Sequence, residues 1–197
     1  ENQGRAHVSR FGMIGASPPM RELFHAIERA GRCDLPVVIV GETGTGKEAT
    51  ARAIHAASIR GDGRFVALSC AAILPQRLQA ELDALVTRTP TSIGDGRNGQ
   101  RKDTHGGTLF LNEVSDLPRE AQIVLLRFLE DQVGFPLGAS KPNGRNVRLI
   151  CATHGDLEKL AQDDQFQMDL YFRLRALTIE VPSLRDRQSD VHILSQH

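Results

Sequence analysis

Two stretches hold residues whose types and spacing could do chemistry. GETGTGKE, Gly41 to Glu48, reads Gly41, Glu42, Thr43, Gly44, Thr45, Gly46, Lys47, Glu48. Glycines at this spacing let successive backbone N–H groups point inward and cradle phosphate oxygens. Lys47 can reach the outer phosphates, and a helix opening at this point adds its positive end. The usual pattern follows the lysine with a hydroxyl that meets Mg²⁺; here Glu48 takes that place. The second stretch, GGTLFLNEV from Gly106 to Val114, delivers Asn112 and Glu113 to the end of an apolar run. A carboxylate at Glu113 can polarise a water for attack on a γ-phosphate. Asn112 can hydrogen-bond a magnesium-bound water, but it adds no charge to fix the ion. Phosphoryl transfer leans on that charge.

Those residues need a scaffold. PVVIV (Pro36 to Val40), FVAL (Phe65 to Leu68), TLFL (Thr108 to Leu111), VRLICAT (Val147 to Thr153) and ALTIEV (Ala176 to Val181) are short continuous apolar runs. Such runs suit strands buried on both faces. Helical spacing lies between them. Leu23, Phe24, Ile27 and Ala30 mark a helix over Met20 to Ala30, and Lys47 to Ile59 is Ala-rich and helical. Ala121, Val124, Leu125, Phe128 and Leu129 form one face of another helix, with Pro118 suited to its first turn. This alternation predicts a parallel α/β sheet with ligands at the carboxyl ends of its strands. Thr87 to Thr104, TRTPTSIGDGRNGQRKDT, breaks the pattern and reads as a long exposed loop.

The totals narrow the function classes. The 197 residues suffice for one good core. Lys+Arg and Asp+Glu are both 24, so there is no basic excess of the kind a nucleic-acid-binding domain carries. DNA binding is therefore expected from a domain outside this chain. No run approaches the roughly 20 apolar residues that span a bilayer, and ENQGRAHVSR lacks a signal-peptide core. Cys33, Cys70 and Cys151 have no CxxC spacing and read as reduced core thiols of a cytoplasmic protein. The histidines show no metal-ligand spacing, so no side-chain metal site is expected beyond a water-mediated Mg²⁺ at Asn112.

With these motifs placed, the chain resembles the AAA+ domain of bacterial enhancer-binding proteins, the sigma-54 activator family, from about Met13 onward. GETGTGKE is close to that family's GESGTGKE, glutamate included, so Glu48 is a family trait. IGASPPM (Ile14 to Met20), GGTLFLNEV, LPREAQIVLLRFLED, VRLICATHGDL, DLYFRL and VPSLRDRQSDV match in order. The resemblance implies a P-loop αβα sandwich over 13–187, preceded by a linker at 1–12. Residues 188–197 would begin a truncated helical lid. It implies an ATP-driven ring that remodels RNA polymerase carrying sigma-54. By position, Ile14 and Gly15 would lie near the adenine, and Gly41 to Glu48 would hold the phosphates of ATP or ADP. Thr153 and His154 would sense the γ-phosphate, and Arg173 would reach into a neighbour's site.

The departures from the family bear on function. Asn112 replaces the expected Asp. Ser69, in FVALSC, replaces the Asn of FVxVNC that restrains the catalytic Glu. Gln167 replaces the first arginine of FRxDLYYRL. The sigma-54-gripping GAFTGA loop is absent, and RTPTSI, Arg88 to Ile93, fills its place. These changes touch hydrolysis, its control, its activation in trans and its output, while the phosphate-holding residues remain. The expectation is a nucleotide-binding module that turns ATP over poorly, makes doubtful contact with sigma-54, and uses nucleotide to control a ring or dimer. Two alternatives stay open. One is a working ATPase that opens sigma-54 promoters, with Glu113, Lys47 and Arg173 as its machinery. The other is a cyclic di-GMP sensor using Arg10 and Arg52, by analogy with flagellar and biofilm regulators of the family.

Overall fold

The computed structural model describes residues 9–87, 106–133 and 147–195. Five strands form one parallel sheet: β3 (Val37–Val40), β4 (Phe65–Ser69), β5 (Thr108–Asn112), β6 (Arg148–Thr153) and β7 (Leu177–Glu180), in the order β4-β5-β6-β3-β7. Parallel neighbours need crossovers that cover both faces of a sheet, so the central strands are buried along most of their length. All six residues of β6 are buried, as are the first four of β5. A small antiparallel hairpin, β1 (Ser9–Arg10) with β2 (Met13–Ile14), stands apart from this sheet.

Side chains alternate across each strand, and this splits the core in two. Val37 and Ile39 of β3, Phe110 of β5, and Ile150 and Ala152 of β6 face helices α1 (Pro18–Gly31) and α2 (Lys47–Ala56). Val38, Leu109, Leu111, Leu149 and Cys151 face the other way. They meet α3 (Pro75–Thr87), α4 (Arg119–Val133), α5 (Leu157–Gln162) and α6 (Met168–Leu174). A last helix, α7 (Gln188–Leu194), follows a short 3-10 turn at Leu184–Arg187.

The expected strands are present to within a residue or two. Helix α2 ends at Ala56, three residues short of the expected Ile59, because the Ser58 hydroxyl donates to His55 O and turns the chain there. Helix α3 was not anticipated, although Leu78, Leu82 and Leu85 recur at helical spacing and are buried. The segment read as a long loop, including Arg88 to Ile93, lies outside the described residues beyond Thr87. Cys70 and Cys151 are buried among apolar side chains, and burial pushes the Cys70 thiol up to about 12.

Candidate nucleotide site

Strand β3 ends at Val40, and the chain then curls through Gly41–Gly46 into α2. Gly44 and Gly46 have φ of 84° and 98°, in the left-handed region that favours glycine. The Thr45 hydroxyl donates to Glu42 O at 2.8 Å and closes the curl, while Thr43 is exposed at its rim. Gly46 precedes α2 without a side-chain cap, so the first N–H groups of the helix stay open to an anion. Lys47 is only 6% exposed. Its Nζ donates to Gly41 O at 2.8 Å and to Glu42 O at 3.3 Å, and it pairs with Glu113 Oε1 at 2.9 Å. A buried ammonium is costly unless paired and hydrogen-bonded; these oxygens hold it in the mouth of the loop.

Glu113 follows Asn112 at the carboxyl end of β5. Its φ is 56°, an uncommon value for a side chain of this size and one that recurs at functional sites. The turn aims its carboxylate between the phosphate loop and the end of β6. Oε2 accepts from His154 N at 3.0 Å and from His154 Nδ1 at 2.6 Å. Burial pushes the Glu113 carboxyl up, but its hydrogen bonds with His154 and Lys47 outweigh that and hold it below the usual value. Thr153, at the end of β6, ties this strand to the phosphate loop because its carbonyl accepts from Gly41 N at 3.2 Å.

Asn112 lies in register with Ser69 on the neighbouring strand, and its carbonyl accepts from Cys70 N at 3.0 Å. Among the described residues Ser69 makes no recorded contact with Glu113; the partners of that carboxylate are Lys47 and His154. Ser69 was expected to leave Glu113 without the family's β4-side contact, and the carboxylate is met instead by His154 at the end of β6. The sequence marked His154 as a phosphate sensor, and its grip on Glu113 was not foreseen.

The remaining expected residues sit around this centre or away from it. Ile14 is partly exposed and Gly15 buried, next to a Met13 whose Sδ lies 4.0 Å from Thr50 Oγ1 in the first turn of α2. Glu48 points outward and pairs with Arg52 at 2.7 Å along α2, so it takes no part in the loop mouth. The Arg52 guanidinium also lies over the Phe65 ring, and Arg10 pairs with Glu28. Arg173 is 38% exposed on α6 and contacts Glu130 of α4 at 3.3 Å. Gln167 stands at the start of α6 without a side-chain cap; its backbone N–H donates to Gln122 Oε1, and its own side-chain oxygen is buried without a partner among the described residues. Sequence reading gave no part to Asp190, although it falls within VPSLRDRQSDV. Its fully buried carboxylate bonds to Ala16 and Ser17 beside Gly15.

Comparisons with known proteins agree with this geometry. The family model described as the sigma-54 interaction domain matches residues 13–180. The transcriptional regulatory protein ZraR of Salmonella typhimurium is 40% identical over 192 residues, covering 98% of this chain and 44% of its own length. The luminescence regulatory protein LuxO of Vibrio campbellii is 40% identical over 180 residues, covering 91% of this chain and 40% of its own length. The chain thus spans less than half the length of these relatives. Among solved structures, NtrX from Brucella abortus in complex with ADP superposes with a TM-score of 0.72 at 35% identity, over 95% of this chain and 41% of its own. The P-loop NTPase domain of the sigma-54 transport activator from E. coli has a TM-score of 0.56 at 22% identity, over 87% of this chain and 99% of its own, and supports the fold. The chain is a member of the sigma-54 interaction domain family, built on the AAA+ P-loop fold.

Proposed function

We propose that this chain is the nucleotide-binding module of a bacterial transcription regulator that holds ATP or ADP, turns it over poorly, and uses occupancy to set self-association. DNA binding would then belong to another domain, and coupling to sigma-54 RNA polymerase would be lost. The observation that carries this reading is the state of Glu113. Its carboxylate is engaged by both Lys47 and His154, and the residue beside it, Asn112, is neutral. The phosphate-holding half of the site is complete, while the hydrolytic half is restrained and one charge short. The NtrX structures in complex with ADP and with ATP support nucleotide as the ligand.

Magnesium would arrive with the phosphates. Asn112, at the end of β5, would be the residue to hold one of its waters, while Glu48 pairs with Arg52. The ion would neutralise phosphate charge. This chain contributes the N–H cradle of Gly41–Gly46, the Lys47 ammonium and the orientation of Glu113. Output through sigma-54 is proposed to be absent because RTPTSI stands where the family's gripping loop belongs.

An active ATPase is the competing reading, and a partly exposed Arg173 favours it, since a modest shift from Glu130 would free its guanidinium for a neighbouring copy. The cyclic di-GMP reading would need Arg10 and Arg52 to leave Glu28 and Glu48, with which they pair. Sedimentation velocity with and without Mg·ATP or Mg·ADP tests the role of occupancy. The expected result is a shift in association state on adding nucleotide. Identical sedimentation with bound nucleotide would remove self-association from the proposal.

A further inference from the structure

We infer that Asp190 is the positioning residue for the nucleoside side of the site: it holds the Ile14–Ser17 loop beside the phosphate loop and thereby sets affinity for the base and ribose. The inference rests on the nucleotide-binding reading above. Asp190 comes from α7, more than 170 residues after its partners, and is fully buried. Its Oδ1 accepts from Ala16 N at 2.7 Å and Ser17 N at 2.9 Å, and its Oδ2 accepts from Ser17 Oγ at 2.6 Å. The loop cannot supply these contacts itself. Ser17 precedes α1 without making a side-chain cap, and Pro18 and Pro19 have no N–H. A buried carboxylate is tolerated only where donors converge on it, so these bonds fix where the loop sits.

The loop is packed on its other sides as well. A Cβ on Gly15 would lie 2.6 Å from Met20 Cγ, so the backbone rests directly on that side chain. Arg187 NH1 donates to Met20 Sδ at 3.3 Å. Met13 reaches Thr50, one turn into the helix that Lys47 opens. At the other end of the same C-terminal segment, Arg185 pairs with Glu42 of the phosphate loop. Residues 185–190 therefore touch both the loop that cradles phosphates and the loop that precedes α1. A nucleoside carried by phosphates at Gly41–Lys47 meets the rim formed by Ile14, Gly15 and this segment. Among the described residues the hydrogen bonds of Asp190 go to Ala16 and Ser17 and none goes to the N–H cradle, so the two halves of the ligand should respond differently to its removal.

Calorimetric titration of the parent chain, Asp190→Ala, Asp190→Asn and Ser17→Ala with ATP and with inorganic tripolyphosphate tests this. Asp190→Ala is expected to weaken ATP roughly tenfold or more while tripolyphosphate stays within about twofold. Asp190→Asn should remain within about threefold of the parent for both, because its Oδ1 still accepts the two N–H groups and its amide donates to Ser17 Oγ. Ser17→Ala should fall between. Unchanged ATP affinity in Asp190→Ala would overturn the inference, as would parallel loss of tripolyphosphate, which would make Asp190 a general stability residue. A parent that binds tripolyphosphate but not ATP would overturn the inference while leaving the phosphate loop intact. A parent that binds neither would overturn the nucleotide reading and this inference together.

Discussion

Asn112→Asp is expected to raise ATP turnover by at least about tenfold, since one preorganised electrostatic contact at a reacting centre is commonly worth about 10² to 10³. Asn112 ends β5 directly before Glu113 and one strand from Ser69. An Asp there would add the negative charge that Asn112 lacks, for a magnesium ion arriving with ATP, in a side chain of nearly the same size. It also places a second carboxylate beside Glu113, whose partners Lys47 and His154 are already engaged. In metal-free protein the like charges repel, so the melting temperature should fall, and Mg·ATP should restore it. Phosphate release and melting curves for parent and variant check both effects. Turnover equal to the parent's would move the block away from position 112, to the His154 restraint or the missing arginine at Gln167.

Lys47→Ala should weaken ATP binding by roughly 3 kcal/mol, about a hundredfold in Kd. The ammonium is the charged donor at the mouth of the loop, and its bonds to Gly41 O and Glu42 O aim it there. Its removal also leaves the Glu113 carboxylate with His154 as its recorded partner, an excess of negative charge where phosphates must sit. Lys47→Arg should not rescue binding, because the bulkier planar guanidinium does not fit the place of a compact ammonium that is 6% exposed. Competition with a fluorescent ATP analogue reads the loss. Affinity within a few-fold of the parent would place the nucleotide elsewhere.

The sheet was legible because buried parallel strands are written as continuous apolar runs, as in VRLICAT and PVVIV. Helix α3 was missed because PQRLQAELDALVT is polar apart from a narrow leucine stripe, and its burial depends on α4 packing against it. The β1–β2 hairpin is too short for any periodicity to show. The phosphate loop could be read directly because its chemistry lies within eight consecutive residues. The contacts of Glu113 with His154, 41 residues away, and of Asp190 with Ser17, 173 residues away, depend on strands and helices meeting in space. No local pattern announces them. Resemblance to the family placed Arg173 as a trans-acting residue, and its contact with Glu130 on its own chain emerges only from the packing of α6 on α4.

The central claim is that this domain holds nucleotide without turning it over efficiently. Phosphate release from Mg·ATP, measured across a range of protein concentrations on samples with confirmed ATP binding, tests it most directly. The account predicts saturable binding with little release at every concentration. Turnover that climbs with protein concentration would contradict it, and would mean that Arg173 completes a working site on a neighbouring copy.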